Sequence, residues 1–172
     1  MKLTVNDRAR ALATFRHVEV RLMEITAAWT PTTPEMEVKV VFGRHIWDFA
    51  QHADWLGKRT FELRQPEHYT LAPAAEYEAL LAQVAGAQDT GERVAVLYDF
   101  FVPALIRRYG QYLDDTDRLL DAPSVVIVER IVREHERQLA EAAALKRAVN
   151  LSTQFPPELA AHESGLTLVA AR

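Results

Sequence analysis

Apolar residues recur every three or four positions along nearly all of this 172-residue chain, and they almost nowhere alternate. That spacing lays one apolar face along a helix and leaves strands little room, so an all-α fold is expected. Only 6 glycines and 8 prolines interrupt the pattern, mostly between the long periodic segments. The first helix is expected to begin near Asn6, a suitable N-cap, and to run through Leu12, Phe15, Leu22 and Trp29 until Thr30 to Pro34 stop it. Thr33 should cap the second helix, with Pro34 at its first position and Glu35 in its first turn. That helix is expected to pass Phe42, Phe49, Trp55 and Leu56 and to end near Arg64.

A short amphipathic helix from Pro73 to about Ala85 reads as a connector lying across the end of a bundle. Asp89 and Glu92 have capping-box spacing and open a third main helix through Val94, Leu97, Phe101, Leu105 and Tyr112. Pro103 lies inside it, removes the hydrogen bond to the Asp99 carbonyl, and should kink it there. Leu120 to Ser124 make the last turn, and Val125 to about Val149 form the fourth main helix. Beyond Asn150 the periodicity is lost at Phe155, Pro156 and Pro157, and the tail to Arg172 reads as an irregular strap with one apolar run, Leu166 to Val169. Long helices of this kind bury their stripes by packing together, giving a four-helix bundle domain over residues 1–150. Residues 151–172 form a C-terminal tail packed on it or extending from it.

Composition narrows the function. With 49% hydrophobic residues the chain is too apolar to be disordered, and a net charge of −4 gives no general attraction for nucleic acid or an anionic membrane. The absence of cysteine removes disulfides, thiolate-bound metals and thiol nucleophiles. Neither a signal-peptide core nor an apolar run of membrane-spanning length is visible, so a cytoplasmic protein is expected. No Gly-rich phosphate loop, Ser-centred elbow or nucleotide signature is present. The remaining chemistry rests on His, carboxylates, Tyr and Arg.

The informative residues are the polar ones on apolar stripes, because a buried charge is costly unless it is paired, neutral or bound to a metal. Glu19 projects between Leu12 and Phe15; one reading pairs it with an arginine such as Arg108. His45, Asp48 and His52 fall within an arc of about 100° beside Phe49, a spacing that suits metal ligation from consecutive turns or an Asp48-oriented His52 acting as a base. His135 projects between Val128 and Ile131, whereas Arg130, Arg133, Glu134 and Arg137 read as the solvated face of the same helix. Tyr98 lies on the third stripe with Asp99 beside it, at the expected kink. Glu19, His45, Asp48, His52 and His135 are expected to converge midway along the bundle.

One Glu on the first helix, a His group midway along the second and a His on the fourth resemble the ferritin-like superfamily of carboxylate-bridged metal proteins. The resemblance covers about residues 6–149. It implies an up-down-down-up bundle, for which residues 65–88 supply the long connection between the second and third helices. In that family the first and third helices each give a carboxylate, and the second and fourth each give Glu-x-x-His. Glu19, His52 and His135 match. Phe49 and Val132 stand where the two motif glutamates would be, and the third helix offers only Asp99.

A di-iron site is therefore not expected. One iron, manganese or zinc ion held by Glu19, His52 and His135, with His45 or Asp48 as a fourth ligand, is the metal set implied. The corresponding function is a small-molecule enzyme, a mononuclear-metal oxidoreductase. Two alternatives stay open. One is a metal-free acid–base enzyme of lyase, isomerase or cyclase type, with His52 as base oriented by Asp48 and with Tyr98 or Glu19 as acid. The other is a non-catalytic structural or binding bundle. The expected partner is a small molecule rather than nucleic acid or membrane, and homodimer formation is left open.

Overall fold

The computed structural model describes residues 2–64, 69–151 and 162–169, and among them the fold is all-helical. Helix α1 spans Val5–Trp29, α2 Met36–Glu62, α3 Ala75–Ala85, α4 Thr90–Ala95, α5 Val102–Asp115 and α6 Ala122–Ala148. The expected third helix is α4 and α5 joined through a π-helical turn, Val96–Phe101. The segment carrying Phe155, Pro156 and Pro157 lies outside the described residues.

Local chemistry accounts for the ends. The first helix starts one residue earlier than Asn6 because Thr4, not Asn6, is its N-cap. The Thr4 hydroxyl accepts from the Asp7 N–H, and the Asp7 carboxylate accepts from the Thr4 N–H. Thr33 does not cap α2, whose N-cap is Glu35. The Thr33 hydroxyl instead donates 3.0 Å to the Trp29 carbonyl and so ties down the turn that closes α1. Pro123 belongs to the first turn of α6 rather than to the preceding loop, since a residue there needs no intrahelical donor.

The Pro103 defect takes the form of the π turn. The Val102 N–H reaches the Leu97 carbonyl, five residues back, one step before the proline that cannot donate to Asp99. Tyr98 is carried on this turn and is buried. Helix α1 packs chiefly on α2, while α6 contacts both α2 and α5. The connections between α1 and α2 and between α5 and α6 are short, so each pair lies antiparallel.

The core is built from Leu12, Phe15, Val18 and Leu22 of α1, Phe42, Phe49 and Leu56 of α2, and Val128 and Ile131 of α6, with Phe101 and Leu105 completing it. Helix α3 buries Tyr77, Leu80, Leu81 and Val84, and the Trp29 indole of α1 donates 3.0 Å to its Ala85 carbonyl. The apolar run of the tail does pack on the bundle: Leu168 is buried, and its carbonyl accepts from the Ala74 N–H. Glu163 anchors that segment by accepting from Arg107 and Arg108, so Arg108 is not the partner of Glu19. No helix among the described residues is long and apolar enough to cross a membrane.

Candidate metal centre

Glu19 of α1, His52 of α2 and His135 of α6 are all fully buried and meet in one place. One ligand-capable atom of each lies within 4.8 Å of the other two. Glu19 Oε2 is 3.2 Å from His52 Nδ1, and Glu19 Oε1 is 2.9 Å from His135 Nε2. The two imidazole rings stand 4.8 Å apart, centre to centre, close to perpendicular. Tyr109 of α5 supplies the fourth wall. Its hydroxyl donates to Glu19 Oε1, and its ring stacks on His135 at 5.8 Å with 12° between planes. Phe49 sits against both imidazoles, closing the apolar side.

The outer ring nitrogens are held as well. His52 Nε2 lies 3.1 Å from Glu134 Oε2, and the other oxygen of Glu134 accepts from Arg130, whose guanidinium stacks 3.9 Å over Trp55. His135 Nδ1 lies 2.9 Å from the side-chain oxygen of Gln138, and the Gln138 amide nitrogen donates 3.1 Å to Asp48. Asp48 also accepts from Arg137 at 2.8 Å.

Three expectations about the site need correction. Asp48 does not orient His52, because its carboxylate is engaged by Arg137 and Gln138. His45 and Tyr98 form a separate buried pair, with His45 Nδ1 2.7 Å from the Tyr98 hydroxyl and Nε2 3.1 Å from Glu141. Arg44 and Arg137 both donate to Glu141, and this cationic surround works against a metal there and against His45 as a fourth ligand. Finally, Glu134 and Arg137 are not simply a solvated face: Glu134 reaches His52 of the site, and Arg137 donates to Asp48, which holds Gln138 behind His135. Asp99 pairs outward with Lys146.

Tyr109, Gln138 and Glu134 were missed as site residues, although two of them carried a signal. Tyr109 continues the Phe101, Leu105 and Tyr112 stripe. Gln138 occupies the same stripe as Ile131, His135 and Ala142 at alternating spacings of four and three, where an apolar residue would be expected.

The electrostatics follow from this packing. Burial alone would push the Glu19 carboxyl up, but His135 and His52, by charge and by hydrogen bonding, outweigh it and hold the group well below the usual carboxylate range. Burial alone would lower His52, yet Glu19 and then Glu134 raise it above an ordinary histidine. Burial, reinforced by the Glu19 charge, raises the Tyr109 phenol well above its ordinary value, so it remains a donor. For His45 burial prevails over Glu141 and Asp48, and the group is lowered.

These directions fix a pH dependence. The raised His52 contributes stability that is complete below its unfolded value of 6.5 and is lost as pH rises through its folded value. The lowered Glu19 contributes stability that is complete above 4.5 and is lost only in strong acid. His45 opposes His52, losing its contribution as pH falls below 6.5. In metal-free protein, the stability gap between wild type and His52→Gln should therefore be widest between pH 4.5 and 6.5 and should narrow in alkali. Denaturant titrations of both chains across that range measure the gap, and a gap that widens with pH would contradict the assigned pairing.

Comparison with protein-family models, with curated proteins and with solved structures returns no match. The functional reading therefore stands on the geometry of these residues.

Proposed function

We propose that this chain binds one transition-metal ion through Glu19, His52 and His135 and acts as a metal-dependent oxidoreductase on a small molecule. The observation that carries the reading is the convergence of two imidazoles and one carboxylate, from three different helices, at a fully buried point. The donor set fits a single ion. Ligands about 2.1 Å from a tetrahedral metal lie roughly 3.4 Å from one another; Glu19 meets His52 at 3.2 Å and His135 at 2.9 Å through different carboxylate oxygens, and one ligand atom of each residue lies within 4.8 Å of the other two, so small side-chain shifts would bring the three to that spacing. An acceptor on the outer nitrogen of each imidazole is also the usual companion of a ligating histidine.

An iron or manganese ion held by Glu19, His52 and His135 would supply redox chemistry. The chain's own residues do the rest. Glu134 and Gln138 orient the imidazoles, Tyr109 donates to Glu19 and fixes its rotamer, and Phe49 keeps bulk water from one side. We further propose the ferritin-like up-down-down-up bundle as the arrangement. Support comes from the helix order, the α3 connector between α2 and α4, and the origin of the three side chains on α1, α2 and α6.

A metal-free acid–base centre competes with this reading, and the favouring observation is that both inner ring nitrogens already lie within hydrogen-bond distance of Glu19. Elemental analysis separates the two. Protein produced with iron, manganese and zinc available and purified without chelator should carry about one ion per chain, whereas His52→Ala and His135→Ala should lose it while keeping their helical circular dichroism. Zinc alone would overturn the redox assignment, and a metal-free wild-type chain would overturn the metal site.

A further inference from the structure

The amide of Gln138 is fully buried between His135 and Asp48, and its orientation is not free. The two ends of a glutamine amide are nearly equal in shape, so their neighbours decide which way it points. Asp48, as a carboxylate paired with Arg137, only accepts, so the amide nitrogen must face it. The carbonyl end then faces His135 Nδ1 at 2.9 Å and requires an N–H there. A neutral His135 so held carries its lone pair on Nε2, the atom aimed at Glu19 from 2.9 Å. A lone pair facing a carboxylate oxygen repels it unless a cation lies between them, a second ring proton in the metal-free chain or a metal ion in the loaded one.

We infer that Asp48, acting through Gln138, is a positioning device that fixes the His135 tautomer so that Nε2 is offered to a cation. This inference rests on the metal reading above and deepens it. Without the relay, His135 is free to adopt the other tautomer and donate Nε2–H to Glu19. The neutral ring would then satisfy Glu19 by itself, and a metal could bind Nε2 only after that proton moved to Nδ1. Nothing in this role requires Gln138 or Asp48 to touch the ion. Asp48 is the residue expected from sequence to serve His52, and the structure assigns it instead to the other histidine.

The test uses Co2+ as the probe, added to metal-free full-length chains, with affinity measured by competition against a chelator and the ligand field read from the visible absorption. Gln138→Met keeps length and apolar volume but removes both hydrogen bonds, and it should weaken Co2+ binding about 10- to 100-fold and alter the visible band. Asp48→Asn leaves Gln138 in place but can donate as well as accept, which frees the amide to reverse; it should shift affinity and spectrum in the same sense. Gln138→Glu restores an acceptor toward His135 Nδ1 and should recover most of the wild-type affinity. A merely structural role would lower the melting temperature of the first two variants without changing the Co2+ spectrum, and that result would overturn the inference. A Gln138→Met chain that binds Co2+ like wild type overturns the inference and leaves the metal site standing. A wild-type chain that binds no Co2+ overturns the metal reading itself, and the inference with it.

Discussion

Replacing Glu19 with alanine is expected to destabilise the metal-free protein by about 3–5 kcal/mol, as breaking a buried ion pair does, and to abolish metal binding. Glu19 is the common acceptor of the Tyr109 hydroxyl, His135 Nε2 and His52 Nδ1, and it is completely buried. Alanine removes the carboxylate and leaves three polar groups facing the space it occupied. His52 keeps Glu134 and His135 keeps Gln138, so both rings can revert to neutral forms, but the Tyr109 hydroxyl has no second hydrogen-bond partner among the described residues. Glu19→Gln should fall between wild type and Glu19→Ala. Its carbonyl oxygen can replace one carboxylate oxygen, while its amide nitrogen meets a ring nitrogen that has to give up its own proton, a mismatch worth about 1–3 kcal/mol. Urea titration near pH 6 gives the order directly, and equal stability of the three chains would show that these hydrogen bonds do not form.

Asp121→Ala should cost a comparable amount, about 3–5 kcal/mol, for a reason unrelated to metal. Asp121 is fully buried at the junction of α5 and α6 and accepts from Tyr112 at 2.6 Å, Thr116 at 2.8 Å and Ser124 at 2.6 Å. The Arg59 guanidinium lies 3.4 Å from the oxygen that also accepts from Ser124, which ties the end of α2 to the same point. One carboxylate thus fixes the turn that sets the register of α6 against α2, and through it the height at which His135 meets His52. Asp121→Asn keeps the shape but must present a donor to at least one hydroxyl or to Arg59, so it should recover only part of the loss. Thermal unfolding measures the stability of both variants. Because Asp121 is remote from the ligand atoms, the folded Asp121→Asn chain should still bind metal with the wild-type stoichiometry.

Helical periodicity made the elements legible in the sequence, and angular projection placed Glu19, His52 and His135 on inward stripes. Those three residues sit near the middle of long helices, where a register drawn at about 100° per residue accumulates little error. The helix ends were less legible because Thr4, Thr33 and Glu35 compete for capping roles, and the choice depends on which backbone group each finds in three dimensions. His45 and Asp48 could not be separated from His52 by projection alone. All of them face inward, but an axial offset from His52 of about two helix turns hands His45 to Tyr98, and one of about a single turn hands Asp48 to Gln138. Tyr109 escaped notice because an aromatic residue on a core stripe needs no special partner to explain it. Glu134 and Arg137 escaped because their backbone faces solvent while their long side chains reach back, to His52 and to Asp48 respectively, a reach that residue type and helix face do not encode.

X-ray absorption at the metal edge of the loaded protein tests the central claim most directly, since it reads the atoms around the ion rather than the consequences of binding it. With iron, manganese or Co2+ bound at about one ion per chain, the account predicts a first shell of nitrogen and oxygen at about 2.0–2.2 Å, with the outer-shell scattering of two imidazole rings, and no bound ion to read in His52→Ala or His135→Ala. A shell of oxygen alone, without imidazole scattering and unchanged in those two variants, would place the ion on surface carboxylates and contradict the site.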